Sequence, residues 1–215
     1  MRIFTSKDEV REAILDAVDV LLGRYGYKKM TIEDVAREAK IGKGTVYLYF
    51  ESKEELVLSH IDRIVRRVMD DLNSIAGEDA NIYDRLERML VLRVMKRCEA
   101  VQHYTQSLNE LLTGIREQLL ARRRQHFEAE AAVFRTLLAR ELGASEQQAV
   151  ELAKSIIAAT NSYLPYSLTV KELGTKPSLL RSVTTTSELL VKGIEAILGN
   201  AGHGSRKTES LAARN

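Results

Sequence analysis

Proline is almost missing from this chain: there are two in 215 residues, Pro165 and Pro177. Nothing before Pro165 is broken by a ring that lacks an N–H, so long helices are open to most of the sequence. Cysteine occurs once, at Cys98. That excludes an internal disulfide and fits a reducing cytoplasm; the residue reads as an inert buried thiol. No charge of one sign dominates, because 32 Lys and Arg against 30 Asp and Glu leave only +2. A uniformly basic nucleic-acid binder is excluded, whereas a local basic face is not. No run approaches the roughly 20 apolar residues of a membrane span, and "MRIFTSKDEV" lacks the apolar centre of a signal peptide. His60, His103, His126 and His203 show no i, i+4 ligand spacing, so no metal and no cofactor are expected.

What is present is helical periodicity. Val10, Ala13, Ile14, Ala17 and Leu21 recur on one helix face behind a Ser6–Glu9 cap, and Gly26 supplies a stop. "MTIEDVAREAK" follows, with Thr31 and Asp34 placed as a capping box and Met30 and Val35 as a hydrophobic staple. Ser52, with Glu55 closing the box, starts an unusually long helix whose stripe runs from Leu56 to Ile75 and which Gly77 ends. Further helices are expected at 81–99, 102–113, 116–142, 145–164 and 178–198, with Gly114, Gly143 and a Ser145–Gln148 box as punctuation. "PYSLTVKELGTKPS" reads as the one long loop. No strand signal appears, so the fold class is all-α. The segment 200–215 has no periodicity and reads as a disordered tail.

The stretch "KIGKGTVYLYF", Lys40 to Phe50, has the look of a phosphate-approaching segment. A nucleotide-binding loop of the Walker kind needs Ser or Thr directly after Gly-Lys, and here Gly44 follows Lys43. A helix, not a strand, precedes it. Two short helices joined by about three residues instead make a helix-turn-helix, whose second helix enters the major groove of DNA. Gly42 and Gly44 let backbone approach closely, Lys43 adds charge and Thr45 a hydroxyl; Val46 and Phe50 face inward. Between Arg24 and Phe50 six basic residues stand against three acidic ones, a local excess of +3.

Residues 6–56 resemble the DNA-binding domain of the tetracycline-repressor-like (TetR) family of bacterial transcription regulators. "TIEDVAREA", "KGTVYLYF" and "SKEEL" carry the resemblance, in that order and register. It implies a three-helix helix-turn-helix domain over 1–51 and a helical effector-binding and dimerisation domain over 52–199. The family commonly has Gly where Lys40 stands, Ser where Gly42 stands and often His where Leu48 stands, so Leu48 offers DNA an apolar contact in place of a polar one. Carried over, the DNA-binding residues are Thr31, Lys43, Gly44, Thr45, Tyr47, Leu48, Tyr49 and Lys53. Lys43, Tyr47 and Lys53 fall to phosphates, Thr45 and Leu48 to base edges.

The resemblance further implies a homodimer reading a palindromic operator, released by a small-molecule effector, in most members as a repressor. "AVELAKSIIAATNSYL" and "LLRSVTTTSELLVKGIEAIL" are the expected dimer helices, with Leu189, Leu190, Ile194 and Ile197 at the contact. His103, Tyr104, Asn161 and Tyr163 are the expected ligand-binding residues. "ARRRQ", residues 121–125, reads as a solvated face, and Arg63, Arg66 and Arg67 as partners of acids. No nucleophile–base group, carboxylate pair or metal cluster supports an enzyme. A helical-bundle enzyme and a ligand-independent architectural DNA-binding protein remain the rival readings.

Overall fold

The structure, a computed structural model, describes residues 6–165 and 174–212, and these form helices joined by short turns. The helices are α1 (Lys7–Lys29), α2 (Ile32–Ala39), α3 (Lys43–Tyr49), α4 (Lys53–Ala76), α5 (Ile82–Val101), a 3₁₀ turn (Gln102–Tyr104), α6 (Thr105–Gly114), α7 (Arg116–Leu142), α8 (Glu146–Asn161) and α9 (Lys176–Ala212). The expected segments sit close to these. The backbone of α9 continues through 200–212, where the composition predicts disorder. Most of the expected long loop, 166–173, and residues 213–215 lie outside the described residues.

Local chemistry explains the starts and stops. Ser6, Ser52 and Ser145 each accept a hydrogen bond from the amide three residues on. Thr31 and Asp34 complete the reciprocal box at α2, as do Ser145 and Gln148 at α8. At α4 the box stays half made. The Glu55 carboxylate accepts instead from Ser59 Oγ at 3.1 Å and from Arg122 at 2.5 Å, because a charged partner outbids a backbone amide. Gly26 breaks α1 at φ +72°, and the chain regains helix for one more turn. A Cβ there would stand 2.9 Å from Ser107 Cβ, so glycine serves both conformation and the seating of α6 on α1.

The apolar residues segregate into two main clusters. One joins α1, α2 and α3 through Ile14, Val18, Leu22, Val35, Val46 and Phe50, and it does not stop at residue 51. Leu56, Val57 and Leu58 of α4 enter it, and Tyr104, Leu108, Leu111, Ile115 and Leu119 close it from the side. The other packs α4, α5, α7, α8 and α9 around Leu72, Met89, Phe134, Leu138 and Ile156. The second half of the chain is thus a bundle, and the first unit rests on it through α4 and α6. Among the described residues no helix is long and apolar enough to cross a membrane.

Several arginines of the bundle interior or its flank are bound to acids. Arg63, 4% exposed, pairs with Glu12 at 3.1 Å and Asp16 at 2.7 Å, clamping α4 to α1. Arg93 and Arg97 share the carboxylate of Glu130, with Arg93 Nε 2.7 Å from it. The "ARRRQ" segment is only partly the solvated face its charge suggests. Arg122 turns in to Asp62 and Glu55, and Arg123 lies over the Phe127 ring at 4.9 Å. Sequence spacing shows a charge but not the acid on another helix that recruits it.

Candidate nucleic-acid interface and effector cavity

The first site is α3 and its flanks. Lys40 ends α2 in the left-handed conformation, φ 60° and ψ 41°, and turns the chain toward Gly42. Its amide donates to the carbonyls of Ala36 and Arg37. Gly42 opens α3 with no side-chain cap. Val46 and Phe50 anchor the helix in the core at 0% and 2% exposure. Each helical residue turns about 100°, so the side opposite Val46 and Phe50 is that of Gly44 and Leu48. Leu48 is 83% exposed and Tyr47 49%. A Cβ on Gly44 would meet nothing within 4 Å. Lys43 and Tyr47 share the neighbouring flank, four residues apart.

The predicted contact residues divide accordingly. Lys43, Gly44, Tyr47 and Leu48 lie together on one exposed surface, with Thr45 half-buried at its edge. Thr31 is exposed at the start of α2, its hydroxyl already bonded to Asp34 Oδ2 at 2.6 Å. Tyr49 is half-buried against the core, its ring 6.5 Å from that of Phe50. Lys53 is engaged at the end of α1. Its ammonium donates to the Lys28 carbonyl at 3.3 Å and sits 4.4 Å over the Tyr27 ring, and burial holds its pKa below the usual lysine value. It closes the end of α1, which an interior contact from another helix can do and a motif cannot reveal. Of the basic residues counted around α3, Arg24 and Arg37 are paired with Glu38 and Asp34.

The second site is a cavity of about 60 Å³ between α4, α5, α6 and α7. Ile61, Val65, Leu108, Leu111, Leu119 and Phe127 form its apolar wall, and Tyr104, Arg97 and His126 are among its polar neighbours. Tyr104, Leu108, Leu111 and Leu119 belong also to the core of the first unit. Of the four expected ligand residues only Tyr104 lines this space. His103 lies outside, its Nε2 3.3 Å from Asp19 Oδ1 on α1. Asn161 is taken by Arg93 Nη2 at 2.8 Å, and Tyr163 by Thr186 at 2.8 Å. The four do not converge, so the expected pocket is replaced by a wall of leucines and isoleucines that single-residue polarity could not mark. A larger depression of about 760 Å³ sits at the α4–α5 turn, lined by Glu78, Asp79, Arg140 and Glu141. It lies at the far end of α4, about 36 Å from α3 at the rise of an α-helix.

Tyr104 connects the cavity to α1. Its hydroxyl lies 3.5 Å from Nε2 of His60, which is 1% exposed and 3.3 Å from Asp19 Oδ1. Burial, then the charge of Arg63, pushes the His60 pKa down to about 3. The ring is therefore neutral. Arg63 Nη2, 3.5 Å from Nδ1, supplies the proton on that side, which leaves Nε2 the donor toward Asp19. Cys98 is equally inert: burial raises its pKa to about 12, and its thiol faces the Tyr163 carbonyl at 3.6 Å.

Residues 14–59 match the profile of the bacterial regulatory proteins of the tetR family. The likeness to that family lies in this N-terminal unit, less than a quarter of the chain. The matched span covers most of α1, α2, α3 and the start of α4, the elements that hold the exposed surface just described. An uncharacterised helix-turn-helix regulator of Haemophilus influenzae is 30% identical over 84 residues, 39% of this chain and 45% of that protein. The transcriptional repressor KstR of Mycolicibacterium smegmatis is 33% identical over 91 residues, 41% of this chain and 45% of its own length. The chain thus spans less than half the length of these two curated relatives. The likeness in fold extends further than the likeness in sequence. The transcriptional regulator FadR from Bacillus subtilis, solved in complex with stearoyl-CoA, superposes with a TM-score of 0.58 at 17% identity, covering 85% of this chain and 98% of that one.

Proposed function

We propose that this protein is a transcriptional repressor of the tetR family that binds a palindromic operator as a homodimer and releases it when a small molecule enters the second domain. The observation that carries the reading is the surface of α3, where a cation, a phenol and an apolar tip stand clear of a core anchored by Val46 and Phe50. A helix so presented suits the major groove, with phosphates on the Lys43 and Tyr47 flank.

Dimerisation is supported by the outer face of α9. Ile194 turns inward at 2% exposure, while Leu189 at 67% and Ile197 at 52% stand in solvent on α9. Paired across a two-fold, α8 and α9 of both copies would form a four-helix bundle. Effector control is supported by the shared wall. A molecule that pushes on Tyr104, Leu108 or Leu111 moves residues on which α1 rests. It acts only by its different affinity for the two arrangements of the N-terminal units. An architectural protein would need no cavity, and an enzyme would need a reactive grouping at one.

The test is a screen of genomic fragments for binding, followed by anisotropy titration of the hits at several salt concentrations. The reading expects specific sites and a steep fall of affinity with salt. The pair Lys43→Ala with Tyr47→Phe should weaken binding without lowering the thermal midpoint. Unchanged affinity would remove α3 from the interface.

A further inference from the structure

Leu48 is the most exposed of the large apolar side chains described, at 83%. A single exposed leucine is ordinary on a protein surface; its place on α3 is not. Val46 and Phe50 fix the inward direction of the helix. At about 100° per residue, Leu48 falls opposite the two of them and forms the outward ridge of the helix. Gly44, one turn earlier on the same face, has no side chain and open space around it. Nothing beside Leu48 therefore holds that face away from an opposing surface, and the leucine is the first group to meet it. Lys43 and Tyr47, which can bond to oxygen, lie on the flank instead.

The floor of the major groove offers nitrogen and oxygen donors and acceptors at every base pair. It offers one carbon group, the C5 methyl of thymine. A leucine has no donor or acceptor, so against N7, O6 or N4 it would strip water from a polar edge and return nothing. Against a methyl it removes apolar surface from water on both sides. We propose that Leu48 is a specificity-determining residue that reads a thymine methyl, once in each half-site of the operator. This rests on the reading of α3 as the DNA-contacting helix.

The experiment uses the full chain and a duplex selected by it from a random-sequence library. Each thymine of the selected half-site is replaced in turn by deoxyuridine, which lacks the methyl and keeps every hydrogen-bonding group. Wild-type protein should bind about four-fold more weakly when one particular thymine is replaced in a single half-site, which corresponds to one buried methyl-sized group, and about 15-fold more weakly when its two-fold mate is replaced as well. Leu48→Ala should remove most of that preference while leaving the thermal midpoint in place, since the side chain touches no core. The assignment is overturned if no thymine shows methyl dependence, or if the dependence persists undiminished in Leu48→Ala. Failure to select any duplex would instead overturn the DNA-binding reading beneath it.

Discussion

His60 gives the joint between the two units a measurable pH signature. Its ring is 1% exposed and lies among Asp19 of α1, Arg63 of its own helix and Tyr104 of the 3₁₀ turn, with His103 and Arg67 also near enough to act on it. The folded pKa is about 3 and the ordinary value 6.5. Between these values the unfolded chain binds a proton that the folded chain refuses, so stability rises with pH across the window and falls as acid is added. At pH 5 the difference amounts to about 2 kcal/mol, taking 1.36 kcal/mol per unit below 6.5. Asp19, whose pKa is raised by its own burial, works in the opposite direction at lower pH, because the folded state accepts its proton more readily. The comparison is therefore made between pH 7 and pH 5. Urea unfolding of wild type and of His60→Gln should show the wild type losing about 2 kcal/mol more than the variant over that interval. The slope is the readout, so a variant that starts less stable still reports. Equal losses in the two proteins would mean that His60 is protonated in the folded state, and the neutral contact with Asp19 would have to be abandoned.

Three other substitutions probe single features. Lys40 adopts the left-handed conformation at φ 60°, which costs a side chain about 1 kcal/mol or more, so Lys40→Gly should raise the thermal midpoint by about 2–4 °C for a chain of this size; an unchanged midpoint would show that the strain is relieved elsewhere. Gly26→Ala meets both a φ of +72° and Ser107 at 2.9 Å; it should cost about 2 kcal/mol and loosen α6 from α1, read as faster amide exchange at Lys28, whose N–H donates to Glu110 at 2.6 Å. Glu130→Ala leaves the guanidinium groups of Arg93 and Arg97 buried without their shared carboxylate. It should destabilise by about 3–5 kcal/mol, whereas a loss under about 1 kcal/mol would mean that water reaches the pair.

The helices were legible because their signals are local. Thr31 with Asp34, Ser145 with Gln148, and Gly77 and Gly143 at the ends each act within a few residues of themselves. The exposed surface of α3 was legible for the same reason: once Val46 and Phe50 are taken as inward, the positions of Lys43, Gly44, Tyr47 and Leu48 follow from the turn of the helix. Lys53 was not, since its partners Tyr27 and the Lys28 carbonyl lie at the end of another helix. The cavity was hidden by its own chemistry. Its wall is made of leucine, isoleucine and phenylalanine side chains that look like any core until the packing leaves a space among them. Asn161 and Tyr163 carried the polarity of a ligand site, yet both are spent on neighbours, Arg93 and Thr186.

The central claim is that two copies of α3 enter the grooves of one duplex. Hydroxyl-radical footprinting of the full-length protein on a selected fragment tests it most directly. The account predicts two protected patches related by a two-fold axis and centred about 34 Å apart or a multiple of that, both lost with Lys43→Ala plus Tyr47→Phe. A single unpaired patch, or protection that survives the double substitution, would contradict it.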